Sequence, residues 1–277
     1  MISKQLIKQN LISSIKKTSV SLPENTLSSL KRAYESEPTG NGKIVLKNIL
    51  KNLEIARKEN LPMCQDTGML WFLVQIGEKV KLDFSIPELL NEISVEVFKT
   101  AYLRASVVSD PLLRNNTSNN SPPVVQFEFI KENKLKIWFM LKGFGSENAG
   151  YSWLLRPTST VEDIAKQVVS RVLEVGGGAC PPVSLGLGIG GTLDYAALLS
   201  KKALFIHDKQ KPKHFIQLED LITSEINASG LGPGGVGGKT AVLDTSVLFY
   251  PTHIAGLPVV LSVSCWANRK GMLEFLP

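Results

Sequence analysis

The chain has 277 residues, 43% of them hydrophobic, and 31 Lys and Arg against 25 Asp and Glu give it a net charge of +6. A chain this long and this apolar buries a substantial core, which excludes intrinsic disorder. Its basic residues are spread along the sequence instead of forming a tract, so the charge does not mark a nucleic-acid binder, and no run approaches the roughly 20 apolar residues of a membrane span.

Ile7, Leu11 and Ile15 recur at helical spacing among Lys4, Lys8, Lys16 and Lys17, which predicts a first amphipathic helix and not the continuous apolar core of a secretory signal. Leu27, Leu30 and Tyr34 form a second helical stripe after Pro23, and Leu46, Ile49, Leu50 and Leu53 a third after the turn at 39–42. Pro62 ends that pattern, so residues 63–68 are expected to be a loop and the apolar run 69–76 a buried strand. Residues 87–103 read as a helix, and residues 109–123, rich in Asn, Ser and Pro, as a loop. Val125, Phe127 and Phe129, then Leu135, Ile137, Phe139 and Leu141, alternate on either side of residues 131–133, the pattern of a β-hairpin.

Ser159 with Glu162 spells a capping box for a helix that carries Val161, Ile164, Val168 and Val172 and stops at Gly176. Beyond it, residues 176–178, 186–191 and 232–238 are glycine-rich and separated by two helical patterns, so function is expected to concentrate there. The apolar run 257–263 reads as a buried strand that delivers Cys265 at its end. No internal repeat, low-complexity tract or linker interrupts the chain. The expected fold is therefore mixed α/β (α+β), a single compact domain over residues 1–277 made of small β-sheets flanked by helices, with its chemistry on loops.

The chain has three cysteines, which cannot all pair; without an export signal they point to a reducing compartment, and the expected location is cytoplasmic. They lie 116 residues (180 − 64) and 85 residues (265 − 180) apart, unlike the close pairs of zinc ribbons or ferredoxins. Scattered cysteines are most often small buried hydrophobes, so their neighbours must carry the argument. Cys64 precedes Gln65, Asp66, Thr67 and Gly68; Cys180 follows three glycines and precedes Pro181 and Pro182; Cys265 ends a strand. Each falls on a loop or an element end. Iron–sulfur ligands need thiolates on rigid backbone with amide groups close by, which glycine-rich turns allow. Three thiolates around a four-iron cube leave one iron open as a Lewis acid for a substrate hydroxyl and carboxylate.

Other residues are ambiguous on their own. Arg104 has the planar fork that suits a carboxylate, yet most arginines simply face solvent. His253, beside an apolar strand, reads alone as a structural histidine, and His207 and His214 lie in a Lys-rich polar stretch. Gly145 opens a turn at 145–148 that can offer backbone N–H groups to an anion. Gly237-Gly238-Lys239-Thr240 has the ending of a phosphate-binding loop, but Pro233 occupies the position where that loop needs glycine, so nucleotide binding is rejected. Lys239 is left as a source of positive charge.

Taken in order, six segments resemble the iron–sulfur fumarate hydratase and L-tartrate dehydratase family, specifically its α-subunit or N-terminal half. They are Pro62-Met63-Cys64-Gln65-Asp66-Thr67-Gly68, Tyr102-Leu103-Arg104-Ala105-Ser106-Val107-Val108, Gly145-Ser146-Glu147-Asn148, Cys180-Pro181-Pro182 with the glycines on to Thr192, Gly237-Gly238-Lys239-Thr240, and His253-Ile254-Ala255 leading into Cys265. The resemblance implies that Cys64, Cys180 and Cys265 hold a [4Fe–4S] cluster whose fourth iron is chelated by substrate. It implies catalytic roles for Asp66 and His253, and substrate binding by Gln65, Arg104, Gly145 and Lys239. It also implies a β-subunit that supplies the base, a threonine, in a heterodimer or heterotetramer. The expected substrate pair is fumarate and (S)-malate, with L-tartrate and oxaloacetate as the alternative. An electron-transfer or sensor subunit is the rival of another class, and Asp66, Arg104 and His253 argue against it because an electron carrier needs no carboxylate clamp.

Overall fold

The computed structural model describes residues 2–208 and 210–277. In chain order its elements are α1 (Lys4–Val20), α2 (Glu24–Ser36), α3 (Asn41–Glu59), β1 (Met69–Gly77), α4 (Ile86–Thr100), β2 (Val124–Ile130), β3 (Leu135–Lys142), α5 (Phe144–Glu147), β4 (Tyr151–Leu155), α6 (Val161–Val175), β5 (Val183–Gly190), α7 (Leu193–Ala203), α8 (Lys213–Ala228), β6 (Val242–Tyr250), β7 (Leu257–Ser264) and β8 (Lys270–Phe275). The mixed α/β class expected from the sequence is what the structure shows. Contacts group the chain into two compact units. Unit 1 comprises Met1–Glu24, Lys51–Phe144 and Ala267–Pro277, and unit 2 comprises Asn25–Leu50 and Gly145–Trp266. The chain passes between the units four times, at residues 24–25, 50–51, 144–145 and 266–267, so no one segment divides them.

The sheet of unit 1 has the strand order β2-β1-β3-β8. β2 and β3 do not form the expected hairpin, because β1 lies between them, parallel to β2 and antiparallel to β3. Alternating hydrophobicity tells which face of a strand is buried and not which strand is its neighbour. The run 70–74 of β1 is buried on both faces, as a central strand must be. One face of the sheet, with Leu70, Phe72, Val74, Ile137 and Phe139, packs against the α1 stripe of Ile7, Leu11 and Ile15 and against Leu90, Ile93 and Val97 of α4. Each of these side chains contributes about 1.5–3 kcal/mol by leaving water.

The sheet of unit 2 has the order β4-β7-β5-β6, with β5 parallel to β6 and antiparallel to β7. The helix α6 begins one residue later than the sequence suggested. Its capping box is Thr160 with Asp163, whose carboxylate accepts the Thr160 N–H at 2.9 Å while the Thr160 hydroxyl accepts the Asp163 N–H at 3.2 Å. Both pairs of residues spell the motif, and the chosen one turns Ile164, Ala165, Val168 and Val172 inward. The glycines at 186–190 form a strand, not a ligand loop. A Cβ on Gly188 would stand 1.9 Å from the Ala196 carbonyl oxygen, and one on Gly186 2.3 Å from that of Ser200, so their bareness lets α7 lie directly on β5.

Candidate active site

In unit 1 the predicted site residues gather on the loop between α3 and β1. Cys64 is half-buried and Gln65 exposed, with the Cys64 sulfur 3.8 Å from the Gln65 carbonyl oxygen. Asp66 is fixed from several sides. Its Oδ1 accepts the Gly68 N–H at 3.1 Å, its Oδ2 accepts the Phe144 N–H at 2.8 Å, and its main-chain carbonyl accepts Nη2 of Arg269 at 2.8 Å. Each carboxylate oxygen keeps a further lone pair for a reaction partner.

The same loop grips the segment that carries Arg104. The buried Thr67 hydroxyl accepts the Arg104 N–H at 2.8 Å. Asn120, fully buried, donates to the Arg104 carbonyl at 2.6 Å and accepts the N–H groups of Ser106 at 2.5 Å and Val107 at 2.9 Å. The backbone of Arg104 is thus tied down while its side chain stays exposed. That is the arrangement a carboxylate clamp needs, since the fork is aimed by a rigid main chain.

In unit 2 one end of the sheet collects Cys180, Cys265, Lys239 and Gly145. Cys180 stands just before β5 and Cys265 just after β7, and those strands pair antiparallel with Ser184 opposite Ser264. The Trp266 N–H reaches the Cys180 carbonyl at 3.5 Å. Cys180 holds φ 54° and ψ 62°, a left-handed conformation that costs a residue with a Cβ about 1–2 kcal/mol and persists where the surroundings impose it. Those surroundings are glycine turns. The Gly234 N–H donates to the Pro181 carbonyl at 2.8 Å, and a Cβ on Gly145 would meet the Gly178 oxygen at 3.5 Å. All three cysteines are free of disulfides.

Lys239 is exposed, at the mouth of β6 beside the start of β5. Two amides of its motif are already used. Glu37, 2% exposed, accepts the Lys239 N–H through Oε1 at 2.5 Å and the Thr240 N–H through Oε2 at 3.0 Å. These two N–H groups face an internal carboxylate and not an outside anion.

His253 lies elsewhere. It precedes β7, whose far end leads to Cys265, and seven residue steps of about 3.3 Å separate the ends of that strand by roughly 20 Å. His253 is exposed, its Nδ1 accepts the Ala255 N–H at 3.2 Å, and Nε2 remains available. It lines a cavity of about 450 Å³ with Thr192, Asp194, Tyr195 and Tyr250. The Thr192 hydroxyl holds the Asp194 carboxyl below its usual range.

Within neither unit do three His, Cys, Asp or Glu side chains among the described residues form a metal-binding group by themselves. Each of the three thiols stands on loop or strand-end backbone, and Cys180 holds its left-handed conformation among glycine turns, the kind of setting in which a thiolate can ligate a metal. Three residues that organise the site escaped the sequence reading: Thr67, Asn120 and Arg269. Thr67 stood inside a quoted motif, but a buried Asn or Arg has no signature in a single sequence, because both residue types are mostly exposed.

A model of the fumarate hydratase (fumerase) family matches residues 8–274. The chain is 34% identical over 267 residues to the "Putative L(+)-tartrate dehydratase subunit alpha" of Methanocaldococcus jannaschii, which covers 93% of both chains. It is 29% identical over 260 residues to the L(+)-tartrate dehydratase subunit alpha of Escherichia coli K12, covering 92% of this chain and 86% of that one.

Proposed function

Because the chain belongs to the fumarate hydratase family, we propose that it is the α-subunit of a hydro-lyase that adds water to, or removes it from, a small dicarboxylate. The observation that carries this reading is the loop of Cys64, Gln65 and Asp66, bound through Thr67 to the segment that presents Arg104. A thiol, a fixed carboxylate and an exposed guanidinium are thereby held on one framework.

Cys64, Cys180 and Cys265 are proposed to hold a [4Fe–4S] cluster. When bound, such a cluster supplies a Lewis acid at the iron that no thiolate ligates. The chain's own residues do the rest of the binding. Arg104 pairs with a substrate carboxylate through its fork, Gln65 hydrogen-bonds the substrate, the Gly145 N–H faces an anion, and Lys239 adds positive charge. The reaction moves a proton at the carbon beside a carboxylate and hydroxide at the next carbon. Asp66 assists a base that stands on a β-subunit, a partner that the relatives' name of subunit alpha supports. His253, at the opposite end of the unit 2 sheet from two of the thiols, is proposed as the second catalytic residue.

Fumarate and (S)-malate are the proposed substrate pair. The names of the relatives favour L-tartrate and oxaloacetate as a second reading. No helix among the described residues is long and apolar enough to cross a membrane, and the three thiols, none in a disulfide, support a cytoplasmic setting.

The test is anaerobic co-expression with the β-subunit, followed by assay with fumarate, (S)-malate and L-tartrate. Iron and acid-labile sulfide are measured on the same sample. The pair is expected to turn over one of the three, the α-subunit alone to be brown and nearly inactive, and Cys180→Ser to lose iron and activity together. A loaded pair inert toward all three, with a paramagnetic spectrum indifferent to each, would show an electron-transfer or sensor protein instead.

A further inference from the structure

Arg269 is the largest of the fully buried side chains among the described residues, at 2% exposed. It follows Cys265 and precedes β8 in unit 1. Its main chain is secured by the Leu141 N–H, which donates to its carbonyl at 2.9 Å. Its guanidinium donates from Nη2 to the main-chain carbonyl of Asp66 at 2.8 Å, while Nε and Nη1 have no acceptor among the described residues. A buried cation whose one acceptor is a neutral carbonyl is costly, and an apolar side chain of the same volume would serve packing better. Such a residue is kept for what it does.

What it does is visible in its neighbours. A Cβ on Gly143 would stand 3.1 Å from Oδ2 of Asp66 and 3.5 Å from Nη2 of Arg269, so the sequence leaves out a side chain where the two meet. The Phe144 and Gly68 amides hold the front of Asp66 by its carboxylate. Arg269 holds the back by the carbonyl. With both ends fixed, the peptide of Asp66 has one orientation, and Cys64 and Gln65 are carried with it.

We infer that Arg269 is a positioning residue for the hydro-lyase reaction, setting the orientation of Asp66 through its main chain. The inference rests on the proposed role of Asp66. It concerns geometry and not cluster assembly, so it predicts a loss in kcat with iron content retained. Displacing a catalytic group by about 1 Å is enough to cost on the order of 100-fold in rate.

The experiment uses the complete pair with its β-subunit, carrying Arg269→Met, Arg269→Ala or Gly143→Ala, beside Asp66→Asn. Arg269→Met is expected to keep iron, sulfide and KM near wild type while kcat falls about 100-fold. Amide exchange at Gly68 and Phe144 should quicken in the same variant, a readout that needs no turnover. Methylguanidinium should restore part of the kcat of Arg269→Ala and leave Asp66→Asn unmoved. If the Arg269 variants do not fold, Gly143→Ala decides, because it wedges between the two groups without removing either, and the same loss confined to kcat is expected. A kcat that stays near wild type in the folded variants, or that falls only in proportion to iron, overturns the inference. An Asp66→Asn pair with full activity overturns the role of Asp66 itself and the inference with it.

Discussion

Replacing Glu37 by glutamine tests whether the Gly-Gly-Lys-Thr segment is held by an internal carboxylate. Glu37 accepts the Lys239 and Thr240 amides, one through each oxygen, and at 2% exposed its carboxylate has no water to fall back on. Among the described residues no Lys, Arg or His lies within ion-pair distance of it, so the two amides carry the stabilisation. Glutamine keeps one carbonyl oxygen but turns an NH₂ group toward the other amide. One charge-assisted bond is lost outright, about 1.5–3 kcal/mol, and the other becomes a neutral bond about 1 kcal/mol weaker, for a total of about 2.5–4 kcal/mol. With a urea m-value of about 3 kcal/mol/M for a chain of this size, the midpoint should fall by roughly 1 M. Amide exchange read at Lys239 and Thr240 places the loss in unit 2, which a global midpoint alone cannot do for a chain of two units. An unchanged midpoint with both amides still protected would refute the reasoning.

Asn120→Ala removes three hydrogen bonds that fix the backbone around Arg104; KM for the dicarboxylate should rise about 10-fold while iron content holds, by steady-state kinetics on the loaded pair. Gly188→Ala forces a methyl to 1.9 Å from the Ala196 carbonyl oxygen, a backbone atom that cannot swing away; it should cost about 3 kcal/mol or more and lower the thermal midpoint by several degrees. The Lys134 and Lys136 side chains hold the exposed Glu132 carboxyl below its usual 4.5. A depressed folded pKa means stability that is present above 4.5 and is lost as pH falls through the lower folded value. Urea midpoints measured against pH should therefore drop less steeply on the acid side in Glu132→Gln, and the difference should fade in high salt.

Much of this arrangement was legible in the sequence where a signal is local and redundant. The stripe Ile7, Leu11, Ile15 became α1, and the run ending at Cys265 became β7. The helix α6 was found through its cap and its stop, with a one-residue slip because two overlapping capping boxes stand side by side. Pairing was not legible. The strands β2 and β3 look like a hairpin because only a short turn separates them, yet the more hydrophobic β1 takes the place between them. The glycines at 186–190 belong to a stretch where function was expected to concentrate, and they form a strand under a close helix, since a bare backbone serves either purpose. Six motifs in one order pointed to the family, and the chemistry-bearing residues within them were visible for that reason alone. Asn120 and Arg269 were not, because the fold buries them against the habit of their residue types.

The interleaving of the two units has a consequence for biosynthesis. β8 pairs with β3 across a sequence separation of 128 (270 − 142), with all of unit 2 after Phe144 translated between them. While the ribosome is still making those residues, one edge of β3 is open, and the loop bearing Asp66 lacks the arginine that fastens it. A truncation that removes Lys270–Phe275 leaves the first sheet with the same bare flank.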